Sequence, residues 1–335
     1  MEKYITMAHG DGGELSHQLI QDIFVKPFKS DKHAVYDAAT MPWTDGEIVV
    51  STDSFVVKPL FFPGGNIGKL AVAGTVNDLA VSGACPRFLT CGFILEEGFS
   101  IKLLQDIVKS MKQEADAIGL QIIAGDTKVV EKGSADGLYI NTTGIGYVGN
   151  KRLKPNDISI GDSVLINGTI GDHGIAIMTA RNDLGIMNDV QSDCAVLSPM
   201  IEELIQHIPS IRIMRDPTRG GLATSLVEIA EDFNCTIVLN EKDLPVKDSV
   251  HGACDIMGFD PLYLANEGKV IIIVPHGDEQ TALKVMRKYS TGTEAVKIGE
   301  VTAINQEKGK LLLQTPLLSK RKLNRLAGVM LPRIC

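Results

Sequence analysis

The chain has 335 residues, 44% of them apolar and 22% charged, a balance that provides two domains with real cores and excludes a disordered chain. Its net charge of −8 and pI near 5.4 exclude nucleic acid as the main partner, because phosphate binding wants a basic face. No apolar run nears the roughly 20 residues that span a bilayer, and MEKYITMAHGDGG has no signal-peptide pattern, so no membrane segment and a cytoplasmic location are expected. Six cysteines, at positions 85, 91, 194, 235, 254 and 335, include no CxxC pair, and the seven histidines never fall at HxxxH or HxH spacing. Free thiols are therefore expected, with no dedicated zinc or iron site.

In chain order, AHGDGGELSHQLIQDIF places Gly10, Asp11, Gly12 and Gly13 before a helical pattern of Leu15, Leu19, Ile20, Ile23 and Phe24. Such a loop presents backbone N–H groups to phosphate at a helix start, although an N-terminal turn accounts for it equally well. EIVVSTDSFVVKP alternates as a strand around Asp53, and NIGKLAVAGTVNDLAVSGACP reads as a small-residue helix carrying Asn77 and Asp78. Residues 101–118 form an amphipathic surface helix. LQIIAGDTKVVE is a strand with Asp126 and Lys128 two apart and hence on one face, and GLYINTTGIGYVG is another strand.

Two apparent nucleotide motifs fail on their context. GGNIGKL lacks the Walker spacing and has Leu70 where a hydroxyl should hold magnesium, while Gly144, Gly146 and Gly149 fit GxGxxG along a strand with no helix after it. What recurs is aspartate in a strand or beside a glycine turn: Asp53, Asp78 and Asp126. Three carboxylates without histidine or thiol partners suit a hard cation such as magnesium, held together with phosphate oxygens. Each taken singly is more often a cap or turn residue.

A boundary is expected near KPNDISIGD. Beyond it, SVLINGTI is a strand, GDHG a turn, IAIMTARNDLG a helix, and 199–207 a further helix. In MRDPTRGGLATSLVEIAEDF, Asp216 and Thr218 precede Gly220 and Gly221 at the head of an amphipathic helix; this is an anion seat with Arg219 beside it, or a capped helix start. Strand TIVLN follows, then DPLYLANEGKVIIIVP, whose Glu267 lies at a turn before a buried strand. A last helix and strands lead to residues 316–335. These carry Lys320, Arg321, Lys322, Arg325 and Arg333 and no acid, and end on Cys335. Extended, they reach about 60 Å, and a thiol at such a tip is better explained by chemistry than by packing.

AHGDGG, STDSFVVKP, NDLAVSGA, AGDTKVV, GDHGIAI, DPTRGGLA, DPLYLANEGK and PRIC, in this order, resemble the hydrogenase maturation factor HypE family. That family belongs to the superfamily of aminoimidazole ribonucleotide synthetase, selenophosphate synthetase and thiamine monophosphate kinase. The resemblance covers essentially the whole chain.

It implies an α/β (α+β) fold of two domains, each a mixed sheet with helices on one face: 1–152 for ATP binding and dimerisation, 153–305, and a mobile C-terminal tail, 306–335. It implies a homodimer whose N-terminal sheets pair. It also implies ATP-dependent dehydration of a carbamoyl group carried on Cys335, loaded by the carbamoyltransferase HypF, with cyanide passed to hydrogenase iron through a HypC–HypD complex. By the same resemblance Asp53, Asp78 and Asp126 would hold magnesium and phosphates, and the Gly10 to Gly13 loop, Lys58 and Asn77 would bind ATP. Lys128 would stabilise charge on oxygen, and Glu267 would take protons from nitrogen. A sister enzyme acting on a free small molecule and a non-catalytic assembly protein with a docking tail are the alternatives.

Overall fold

The computed structural model describes residues 4–9, 14–29, 46–149, 153–181, 189–305 and 307–326. Glu14–Leu19 (α1) runs through a wider-wound turn, Ile20–Val25, into Lys26–Phe28 (α2). Then come strand Glu47–Phe55 (β1), the two-residue strands Phe61–Phe62 (β2) and Gly65–Asn66 (β3), helix Ile67–Val81 (α3), strand Cys85–Glu96 (β4), helix Ile101–Ala117 (α4), and strands Gln121–Val130 (β5) and Leu138–Val148 (β6). The long strands pair in the order β1-β6-β4-β5, all antiparallel except β4 with β5.

Helices α3 and α4 cover one face of this sheet. Helix α4 buries the stripe Ile101, Leu104, Ile107, Val108 and Met111, as its period predicts. Helix α3 is buried almost all round, because its sides meet the sheet, α4 and the second half of the chain. The sham Walker loop is explained here: Asn66 caps α3 by accepting N–H groups from Gly68 and Lys69 at 2.8 and 3.1 Å. A Cβ on Gly68 would stand 2.4 Å from the Ile107 carbonyl oxygen of α4, so glycine serves helix packing there. Gly144 likewise faces Thr75 and Leu79 of α3 at distances only glycine allows.

The second half contains Ser163–Ile166 (β7), Asp172–Ala180 (α5), Ser198–His207 (α6), Ile213–Arg215 (β8), Gly221–Asp232 (α7), Cys235–Asn240 (β9), Asp248–Met257 (α8), Ile271–Val274 (β10), Glu279–Met286 (α9), Val296–Ile304 (β11), Lys310–Gln314 (β12) and Lys320–Leu323 (β13). They form a mixed sheet in the order β13-β12-β9-β11-β7-β10-β8. At its centre both faces are covered, beyond the one-sided arrangement expected. Val164, Ile166, Ile271 and Ile273 pack with α7, while Leu165, Ile272 and Val274 pack with α6 and α9.

The expected tail boundary at 306 needs correction. Leu311 and Leu313 are buried, and β12 pairs with β9 on one side and β13 on the other, because alternation with a leucine face drives the segment into the sheet. Lys320, Arg321 and Lys322 therefore stand on an edge strand. The chain is held as far as residue 326: Tyr263 donates its hydroxyl to the Asn324 carbonyl at 2.9 Å, Arg325 pairs with Glu231 at 2.7 Å, and Leu326 N–H reaches Thr224 Oγ1 at 3.2 Å. Nine residues beyond that root span about 30 Å at most, half the reach expected from sequence. Arg333 and Cys335 lie outside the described residues, as do Gly10, Asp11, Gly12 and Gly13.

Candidate active site between the two halves

Alternation along β1 turns Ser51, Asp53 and buried Phe55 towards α3. There Ser51 donates its hydroxyl to Asp78 at 2.6 Å. Burial, reinforced by the neighbouring Asp78 carboxylate, pushes the Asp53 carboxyl up to about 6. Asp216 comes from the second half, on the loop ahead of α7. Burial and then the charges of Asp78 and Asp53 push it up to about 7, with Arg215 acting the other way. A cleft of about 570 Å³ between the halves is lined by Ser51, Asp78, Asp216, Thr218 and Arg219 among others.

Helix α7 opens on Gly220 and Gly221, at φ 81° and 64°, with no side-chain cap. Asp216 and Thr218 are thus not its caps, which leaves the Asp216 carboxylate to the cleft. A side chain on Gly221 would meet the carbonyls of Leu262 and Leu264 at 2.6 Å, so the two glycines are needed for this tight passage.

Glu267 is only 4% exposed. Burial first, then the charges of Asp193, Asp216, Asp53 and Asp78, hold its carboxyl well above the usual range. Cys194 is buried nearby, its thiol raised by burial and by Glu267.

The remaining expected residues fall differently. Asn77, expected to bind nucleotide, is 1% exposed and fully engaged: its Nδ2 donates to the carbonyls of Ala195 and Glu267 at 3.0 and 3.2 Å, and its Oδ1 accepts from Leu197 N–H at 2.9 Å. It is a strut between the halves, with both amide N–H donors and one lone pair of Oδ1 spent on backbone. Asp126 pairs in register with Gly92, and Lys128 with Ile94, on the open face of the first sheet. The structure does not bring them to Asp53 and Asp78, which lie on the helix-covered side. Both side chains are about two-thirds exposed, their charged ends 3.3 Å apart. Lys58 pairs with exposed Asp136 at 2.9 Å.

Among the described residues no three His, Cys, Asp or Glu side chains are gathered closely enough to hold a metal by themselves. The donor set still fits a magnesium ion shared with phosphate, which takes one or two carboxylates and keeps several waters. The Asp78 charge raises the proton affinity of Asp53, and the charges of Asp78 and Asp53 raise that of Asp216, a repulsion that a divalent cation would relieve. Sequence reasoning counted Asp216 in an anion seat and left it out of this carboxylate set; its position ahead of two glycines was the available signal.

Residues 31–148 match the N-terminal domain of AIR synthase related proteins, and 159–311 match the C-terminal domain of the same family. A two-domain AIR synthase-related protein, with its acidic cleft between the domains, is thus the class to which fold and site assign the chain. It is 42% identical to carbamoyl dehydratase HypE of Rhodobacter capsulatus, covering 100% of this chain and 99% of that protein, and 43% identical to carbamoyl dehydratase HypE of Escherichia coli (strain K12), covering 99% of each. The chain belongs to the carbamoyl dehydratase HypE family.

Among solved structures, hydrogenase maturation protein HypE in complex with ATP superposes with a TM-score of 0.93 at 43% identity, covering 98% of this chain and 99% of that one. A chain of a HypE–HypF complex superposes with a TM-score of 0.80 at 46% identity, covering 92% and 99%. A thiamine-monophosphate kinase of Stenotrophomonas maltophilia, 17% identical with a TM-score of 0.65 and coverages of 89% and 96%, shares the fold alone.

Proposed function

We propose that this chain is an ATP-dependent carbamoyl dehydratase of [NiFe] hydrogenase maturation, converting an S-carboxamide on Cys335 to a thiocyanate. The observation that carries the reading is Glu267: a buried carboxylate with raised proton affinity, its backbone clamped between the halves beside an acidic cleft. A carboxylate of this kind is a stronger base than a solvated one.

The amide oxygen is a poor leaving group. Transfer of the ATP γ-phosphoryl to it makes a phosphate ester that departs as inorganic phosphate, while two protons leave the nitrogen and the C≡N bond forms. Glu267 would take a proton from nitrogen. One or two carboxylates of the Asp53, Asp78 and Asp216 set would hold magnesium together with phosphate oxygens, and the ion when bound would neutralise phosphate charge. Arg219 stands in the same cleft, with a charge suited to phosphate oxygens.

Asp126 and Lys128 fit this scheme in a homodimer. Their open face carries exposed Val50 and Ile94, at 59% and 43%, and Val50 also borders the cleft. Pairing two such faces would bring one subunit's Asp126 and Lys128 towards the partner's phosphates, where Lys128 would stabilise charge on oxygen. The Gly10 to Gly13 loop, with Lys58, would border the nucleotide.

The solved ATP complex and HypE–HypF complex of relatives support ATP as the phosphoryl donor and a carbamoyltransferase as the partner that loads Cys335. Cyanide would then pass to HypC–HypD. Burial raises the thiols of Cys91, Cys194, Cys235 and Cys254, and burial with Glu202 raises that of Cys85. These five are poor nucleophiles, which supports Cys335 as the acceptor. ATP and a reduced thiol are both supplied by the cytoplasm. Among the described residues no helix is long and apolar enough to cross a membrane.

Intact mass spectrometry tests this. With carbamoyltransferase, carbamoyl phosphate and magnesium-ATP, the chain should gain one carbamoyl group and then lose one water, and Cys335→Ala should do neither. Glu267→Gln and Lys128→Ala should stop at the carbamoyl stage while retaining ATP binding; normal conversion by either variant removes that residue from the mechanism.

A further inference from the structure

The segment around Glu267 is held by its own Asn266 and by buried polar side chains from three other places, Asn77, Asn167 and Asp193. Asn266 donates to the carbonyls of Pro217 and Leu264, each at 3.0 Å, and accepts from Gly171 N–H at 2.8 Å. Asn77 holds the Glu267 carbonyl. Asn167 holds the Gly268 carbonyl at 3.1 Å and accepts from Val270 N–H at 2.7 Å. Two successive backbone N–H groups converge on a single carboxylate. Glu267 N–H reaches Asp193 Oδ1 at 3.1 Å, and Gly268 N–H reaches Oδ2 at 3.2 Å. Lys269 Nζ closes on the same Oδ2 at 3.1 Å, with the two side chains 9% and 3% exposed.

This grip is specific in shape. A Cβ on Gly268 would fall 1.9 Å from the Asp193 carbonyl oxygen, so the two backbones touch. Burial opposes ionisation of Asp193, yet Lys269, His173 and the Glu267 N–H keep its carboxyl below the ordinary range. The grip also spans the halves: Ser192 N–H donates to the Pro63 carbonyl at 2.8 Å, and Cys194 packs into the first-half core.

We infer that Asp193 is a positioning residue of the dehydration, fixing the base Glu267 by gripping two successive backbone N–H groups with Lys269 as its counterion. The inference rests on Glu267 being the base. Asp193 does not touch the reacting atoms; it sets where the Glu267 carboxylate stands, and it ties that place to the seating of one half on the other. Displacements of about 1 Å at a reacting group cost on the order of 100-fold in rate.

The test uses the full chain, carbamoylated on Cys335, with magnesium-ATP. Asp193→Asn removes one of the paired acceptors, and Asp193→Asn combined with Lys269→Met also removes the cation that would otherwise stay buried and unpaired. Glu267→Gln runs alongside. The readouts are the rate of water loss by intact mass, KM for ATP and melting temperature. The expected result for the double variant is conversion slowed about 10- to 100-fold, with KM for ATP and the folded state retained. Wild-type conversion by a folded double variant overturns the inference. So does loss of fold or of ATP binding in both variants, which assigns Asp193 to the scaffold. If Glu267→Gln converts normally, it is the assignment of the base that fails.

Discussion

Asp53, Asp78 and Asp216 come from a strand, a helix and a loop of the other half, and their mutual repulsion has a thermodynamic consequence. The folded-state proton affinities of Asp53 and Asp216 are raised, to about 6 and about 7. The folded chain therefore binds more protons than the unfolded one between the ordinary carboxylate range and these values. Their contribution to stability is full at low pH and is lost as pH rises through about 6 to 7. The melting temperature of nucleotide-free protein should fall across that window, Asp216→Asn should flatten the fall, and magnesium-ATP should oppose it. A melting temperature that rises over the window, or a slope that Asp216→Asn leaves unchanged, contradicts the coupling. At this scale alternation made Asp53 legible. The placement of Asp126 was not, because a period of two tells which residues share a face and leaves open which face meets the helices. The pairing of Gly92 with Asp126, past a bulge at Leu89 and Thr90, decides that.

At the scale of elements, α3 carries the architecture. Its small residues let it sit between the sheet, α4 and the second half, and Gly68 faces the Ile107 carbonyl of α4 where a side chain would collide. Gly68→Ala should destabilise the chain by about 1–3 kcal/mol, since a methyl there overpacks a backbone contact. Thermal melting followed by circular dichroism should show a drop of several degrees, and an unchanged melt would mean the helices separate freely. Amphipathic α4 was readable from its stripe, whereas α3 was readable only as rich in small residues, because a helix buried on all sides has no polar face to set its phase. The tail expected over 306–335 takes in β12 and β13, and the basic run KRK of β13 resembles a free arm. Pairing of β12 with β9 and of β13 with β12 outweighs that charge, and the lysines and arginine are left on the edge strand.

At the scale of the whole molecule, the open face of the first sheet and the inter-half cleft are left uncovered among the described residues. The proposed homodimer would bury the exposed Val50 and Ile94, relieving the cost of leaving apolar side chains in water. Sedimentation should give a dimer for the wild type. Val50→Glu combined with Ile94→Glu should give monomers with dehydration lost, because Asp126 and Lys128 would no longer reach a partner's cleft. A monomeric wild type would sink the arrangement. The sequence by itself determined the two α/β halves, the glycine and aspartate motifs, the turn that carries Glu267, and the family, since local periodicity and short motifs are properties of neighbouring residues. Tertiary structure alone decided which carboxylates converge, that Asn77 is a strut, that the sheet takes in the chain as far as β13, and that Asp193 grips the backbone at Glu267 and Gly268. Each of these depends on side chains far apart in sequence meeting in a low-dielectric interior, where an unmet polar group is costly and its partner is selected by geometry.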